Sequence, residues 1–110
     1  MVSGNVVALF DVALEMLAEC GLDRKTARSI LLPLIASTVR SLETKTPEAA
    51  LTGTFSRGDV ATVKRHLASV RNPEWRELYR ILGGRSLELA HLDEGLKRQI
   101  KKVLLTGLQN

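Results

Sequence analysis

Apolar residues recur at helical spacing through the whole chain. From about Asn5 to Cys20, Val6, Leu9, Phe10, Ala13, Leu14, Met16 and Leu17 cover a wide arc at 100° per residue. Asp11, Glu15 and Glu19 make a narrow acidic stripe on the same segment. The arc is too wide for one contact, so this helix is expected to touch partners on two sides. Gly21 suits its end, because glycine enters the left-handed region freely. Asn5 stands near the start as a candidate N-cap.

A second helix is expected from an Asp23 cap to about Glu43. It is nearly apolar all round between Ile30 and Ala36, which predicts a central, buried helix. Pro33 lacks an amide hydrogen and predicts a kink. Thr46-Pro47-Glu48 is a cap, an N1 proline and an acid in the first turn, so a short helix follows and ends by Gly53. Thr54 to Asp59 reads as a tight connection, with Ser56 and Asp59 at capping-box spacing.

From Asp59 to Ser69, Val60, Val63 and Leu67 point inward and Lys64 and Arg65 outward, with Arg71 just beyond. Asn72-Pro73-Glu74 repeats the cap signature. Trp75, Leu78, Tyr79, Leu82, Ser86 and Leu89 then trace the expected inner face, and Gly83 and Gly84 leave room for another helix to come close. Asp93 caps a last helix carrying Leu96, Ile100, Val103 and Leu104, stopped by Gly107. No segment alternates as a strand does. The prediction is an all-α single domain, residues 1–110, of about six helices.

Composition fits that picture: 45% hydrophobic and 25% charged residues belong to a globular chain. The longest apolar run, Ile30 to Ala36, is far short of the roughly 20 residues of a membrane span. One cysteine excludes an intrachain disulfide and a cysteine-based metal site. A soluble protein of a reducing, cytoplasmic compartment is the expectation. The net charge of +4 divides into −3 over residues 1–20 and +7 over the remainder. Aromatic residues are only 4%, too few for a stacking platform on single-stranded nucleic acid. The turn between Gly53 and Asp59 also fails as a helix-turn-helix, since Asp59, Val60, Ala61 and Thr62 offer no fork to base edges. Nucleic acid is therefore not an expected partner.

The usual catalytic patterns are missing too. His66 and His91 have no second ligand at metal spacing, and each reads as an ordinary histidine. Cys20 has no cation within the preceding turn and reads as a small buried hydrophobe. Gly53 and Gly58 have the spacing of a phosphate loop, but Asp59-Val60 stands where Lys-Ser or Lys-Thr is required. No G-x-G-x-x-G is present. The acidic stripe reads as a solvated or salt-bridging face.

Ala50-Leu-Thr-Gly-Thr-Phe-Ser-Arg-Gly-Asp59, followed by Val63-Lys-Arg-His-Leu67, carries a resemblance, supported by Leu32-Pro-Leu34 and Ser3-Gly-Asn5. Over roughly residues 3 to 91 the chain resembles a domain of unknown function that follows a Rossmann domain in NAD(P)-dependent, deazaflavin-dependent NADP oxidoreductase-like proteins. It is similar to the C-terminal helical bundle of the 6-phosphogluconate dehydrogenase superfamily. The resemblance implies a helical domain that forms a homodimer and one wall of a substrate cleft. NADP or NAD would sit on a Rossmann domain absent from this chain, with no cofactor bound by the chain alone and no catalysis without that partner. It implies that Asn5 matches a catalytic asparagine facing the nicotinamide, and that Thr52, Gly53, Arg57 and Asp59 border the cleft. The chain departs from the pattern at Thr54, where members carry Pro, and in lacking a Lys a turn before Asn5. On the residues alone, Arg57 and Asp59 also read as an ion pair or a helix cap. A stand-alone helical interaction module is the alternative function.

Overall fold

The computed structural model of the chain describes residues 1–106. Among them are seven helices and no strand: α1 Val2–Glu19, α2 Arg24–Thr44, α3 Pro47–Ala50, α4 Thr54–Arg57, α5 Val60–Ser69, α6 Pro73–Leu89 and α7 Glu94–Thr106. The all-α expectation holds, with one helix more than six. The extra one is α4, a single turn where an irregular connection was expected. Four residues are too few for a hydrophobic period to register. The predicted stop at Gly107 lies outside the described residues.

The chain divides into two compact units, Met1–Thr44 and Lys45–Asn110. The first is the α1–α2 hairpin. Gly21, at φ 91°, lets the chain leave α1: its amide donates to the Ala18 carbonyl and the Leu22 amide to the Leu17 carbonyl. Asp23 opens α2 by accepting from the Thr26 amide at 2.8 Å. Asp11 and Arg24 tie the two helices by an ion pair of 2.7 Å. Buried side chains of this unit are Leu14 and Ala27.

That small core corrects three expectations. Helix α2 is not buried: Ile30, Leu32, Leu34, Val39 and Leu42 are 45–61% exposed. Within the hairpin α2 has α1 alone beside it, and one neighbour cannot cover an all-round apolar surface. Pro33, where a kink was expected, lies inside this helix. Cys20 is exposed, since it sits at the C-cap where the chain turns outward. Asn5 does not cap α1. Helix α1 begins at Val2, and the Asn5 amide donates to the Met1 carbonyl at 3.0 Å inside its first turns.

The second unit holds the main core. Val63 and Leu67 of α5, Leu87 of α6, and Ile100 and Leu104 of α7 form one buried cluster. The caps read from the sequence are in place: Thr46 on α3, Asp59 on α5, Asn72 on α6 and Asp93 on α7, each accepting from a backbone amide of the first turn. Ser56 has no part in capping α5; it lies inside α4.

The inner face of α6 is rotated from the expected one. Trp75, Gly83 and Leu87 are buried, whereas Leu82 is 44% exposed. Gly83 is the reason. A Cβ there would stand 2.6 Å from Cζ of Phe55, so the missing side chain is the notch in which the α4 phenyl ring sits. Gly84 has open space and no such role.

Candidate functional site

The segment that carries the resemblance folds as a rigid turn of the C-terminal unit. Gly53, at φ 91°, starts α4, and Gly58, at φ 66°, ends it. Both angles favour glycine, because a Cβ in the left-handed region crowds the backbone. The Gly58 amide donates to the Phe55 carbonyl and the Asp59 amide to the Thr54 carbonyl, which closes the turn. Phe55 anchors it from below, in the Gly83 notch and against the Tyr79 ring at a centroid distance of 5.5 Å.

Thr52, Gly53, Arg57 and Asp59 therefore share one turn, but they are not equivalent. Thr52 and Arg57 are exposed. Asp59 is half-buried and committed: its Oδ1 accepts from the Thr62 amide at 3.1 Å and its Oδ2 from the Thr62 hydroxyl at 2.7 Å. That hydroxyl in turn accepts from Arg65 at 2.7 Å. No Arg57–Asp59 ion pair occurs among the described residues. Of the two structural readings of Asp59, the helix cap is the one realised. Asn5 belongs to the other unit, exposed on α1.

The Thr62 hydroxyl and amide hold the Asp59 carboxyl below the usual carboxylate range, and the Thr26 amide does the same for Asp23. A lowered folded-state value gives stability above the ordinary carboxylate pKa, which is lost as pH falls through the folded value. Urea melts at pH 7 and pH 3 are expected to show this acid loss. Asp59→Asn keeps an oxygen acceptor and removes part of the difference; an unchanged difference would exclude Asp59 as a contributor.

A cluster not foreseen from the sequence lies beneath the same turn. Nδ1 of His66 and the Tyr79 hydroxyl are 2.9 Å apart, and the rings meet edge to face at 5.6 Å. Burial pushes the Tyr79 hydroxyl up to about 12, so at neutral pH it is a hydrogen-bonding phenol and not a base. Residues 13 apart on two helices carry no linear signature, and only the α5–α6 turn joins them.

Two open grooves of the C-terminal unit, about 660 and 630 Å³, are lined by neither Thr52, Gly53, Arg57 nor Asp59. The second runs between α6 and α7 and is rimmed by Arg80, Arg85, Lys97, Arg98 and Lys101. Among the described residues, no group of three His, Cys, Asp or Glu is placed to hold a metal. No helix among them is long and apolar enough to cross a membrane.

Residues 1–86 match the family described as a domain of unknown function, DUF2520, and the chain belongs to that family. No curated protein and no solved structure matches it.

Proposed function

We propose that this chain is the helical, self-associating half of an NAD(P)-dependent oxidoreductase, forming one wall of its substrate cleft. A Rossmann domain would hold NADP or NAD. The observation that carries the reading is the Ala50–Asp59 turn. It is the most specific part of the resemblance, and its exposed Thr52 and Arg57 sit on a backbone fixed by two glycines, an anchored phenyl ring and a capping carboxylate. Catalytic and binding groups are commonly held in this way, on short loops over a rigid scaffold.

In this reading the Arg57 guanidinium binds an anionic group of the substrate and the Thr52 hydroxyl orients it. Asp59 positions the turn through Thr62 and does not touch substrate. Asn5 takes the place that the resemblance assigns next to the nicotinamide. The cofactor supplies hydride transfer when bound to its own domain. This chain supplies binding and orientation.

The test is calorimetry with NADPH on the chain alone and on a polypeptide that joins it to a Rossmann domain from the same reading frame. The joined protein is expected to bind NADPH and the chain alone is not. Arg57→Ala in the joined protein should leave NADPH affinity unchanged and weaken substrate binding by roughly tenfold or more, as expected for a charge-assisted contact. Tight NADPH binding by the chain alone would overturn this division of labour. It would favour the alternative, a self-sufficient helical module.

A further inference from the structure

Gly83 and Gly84 are adjacent in α6, and the fold fills only the first. Gly83 receives the Phe55 ring. Gly84 has an ordinary helical backbone, and nothing lies within 4 Å of where its Cβ would stand. A glycine inside a helix costs about 1 kcal/mol against alanine. No contact among the described residues accounts for that cost at Gly84. Its hollow opens into the groove of about 630 Å³ between α6 and α7. Ile81, one turn earlier, is 54% exposed in the same groove.

The rim of this groove is charged, and unevenly so. Arg80 and Arg85 stand on the α6 side and Lys97, Arg98 and Lys101 on the α7 side, against two carboxylates, Glu88 and Glu94. Glu77 holds Arg80 at 2.5 Å, and Glu88 lies 3.5 Å from Arg85. Lys97, Arg98 and Lys101 form no ion pair among the described residues. Both rim carboxylates flank the connection between the helices, since Glu88 is in the last turn of α6 and Glu94 opens α7. The cations occupy the rest of the length.

We infer that this groove receives an acidic amphipathic helix of a partner protein. An apolar side chain of that helix seats over Gly84 and Ile81, and its Asp and Glu side chains meet Lys97, Arg98 and Lys101. Charge complementarity selects the occupant, and the empty glycine hollow is what lets it come close. Two packed helices with a groove between them take a third helix by its apolar face, whereas an extended peptide needs a sheet edge, and no strand occurs among the described residues. From Arg80 to Glu88 the groove follows about 12 Å of helix rise, a little over two turns. The uneven rim also sets a direction: the partner carries Lys or Arg beside Glu88 and Glu94, and its acids beyond. A nucleic acid fits worse, because its phosphates would meet those two carboxylates and no aromatic residue among the described ones lines the groove for a base. A small polyanion would leave Ile81 and the hollow uncovered. The α7 side lies beyond residue 86, where the family match ends, and none of the cofactor chemistry proposed above is needed.

Fluorescence anisotropy with the full chain tests this. The probe is a labelled synthetic peptide of about four helical turns, made of Leu, Ala and Glu, with Leu along one face and a single Lys at one end. It is expected to bind at low salt and, when isotope-labelled, to take helical carbon shifts on binding. Gly84→Leu fills the hollow with a better helix former, so affinity should fall roughly tenfold or more while stability is unchanged or raised. Lys97→Glu combined with Lys101→Glu should also cost roughly tenfold or more. Lys64→Glu combined with Lys102→Glu makes the same charge change at the groove between α5 and α7 and should keep affinity within about threefold. A peptide that does not bind, equal losses for the two lysine pairs, or parental affinity in Gly84→Leu would overturn the proposal. So would extended carbon shifts, or equal binding of a peptide of the same composition with its Leu residues scattered. Displacement of the probe by a single-stranded oligonucleotide or by inorganic pyrophosphate at lower concentration than the unlabelled peptide requires would assign the groove to phosphate and overturn it as well.

Discussion

A chain cut after residue 86 is expected to lose the folded C-terminal unit, even though the family match ends there. The reason is the composition of the core. Val63 and Leu67 are 0% and 6% exposed because Leu87, Ile100 and Leu104 pack on them, and all three lie beyond residue 86. Burying side chains of this size stabilises by about 1.5–3 kcal/mol each, so the cut removes roughly 5–9 kcal/mol. A domain of this size has only about 5–15 kcal/mol in total. The single tryptophan, Trp75, is 8% exposed and reports the outcome. Its emission should shift to that of a water-exposed indole, and the cooperative urea transition should vanish. Ile100→Ala tests the same core more gently and should cost about 2–5 kcal/mol. A shortened chain with native tryptophan emission would mean that α7 is an accessory and not part of the core.

Gly58→Val is expected to be the most damaging single change in the Ala50–Asp59 turn, at about 2–5 kcal/mol, from left-handed backbone strain plus overpacking. Two independent effects add. The backbone is at φ 66°, which a β-branched residue resists strongly. A Cβ would also stand 2.6 Å from Cδ2 of Leu96 and 3.2 Å from Leu92, two side chains packed on the core. Gly53 separates the two effects, since it has φ 91° but nothing within 4 Å of its Cβ position. Gly53→Ala should therefore show only the backbone part, about 1–2 kcal/mol. Urea denaturation of both variants gives the comparison. Equal costs would mean that the contact with Leu96 is relieved by rotation of that side chain.

The caps were legible because they are local. Thr46, Asp59, Asn72 and Asp93 each bond an amide two or three residues away, a distance fixed by the chain itself. The inward positions of α5 and α7 were legible because those helices are amphipathic: Val63, Leu67, Ile100 and Leu104 are buried as their spacing predicts. The face of α6 was not, because its centre is Gly83. Glycine adds nothing to a hydrophobic period, and its burial comes from a phenyl ring 28 residues earlier. The site divides in the same way. Glycines at Gly53 and Gly58 mark a turn in any reading. That Asp59 is consumed by Thr62, while Thr52 and Arg57 stay open, depends on where α5 starts relative to α4.

The sequence by itself determined the helical class, most helix starts and the apolar stripes, because each depends on residues within one or two turns of each other. Only the tertiary structure decided which stripes are covered. Apolar spacing states that a helix face avoids water, but not how many neighbours supply the cover. Helix α2 reads as a buried helix, yet in the hairpin one side of it is packed and Leu32, Leu34 and Val39 face solvent. Burial is a property of three-dimensional neighbours, and for α1 and α2 the neighbours within the hairpin are too few.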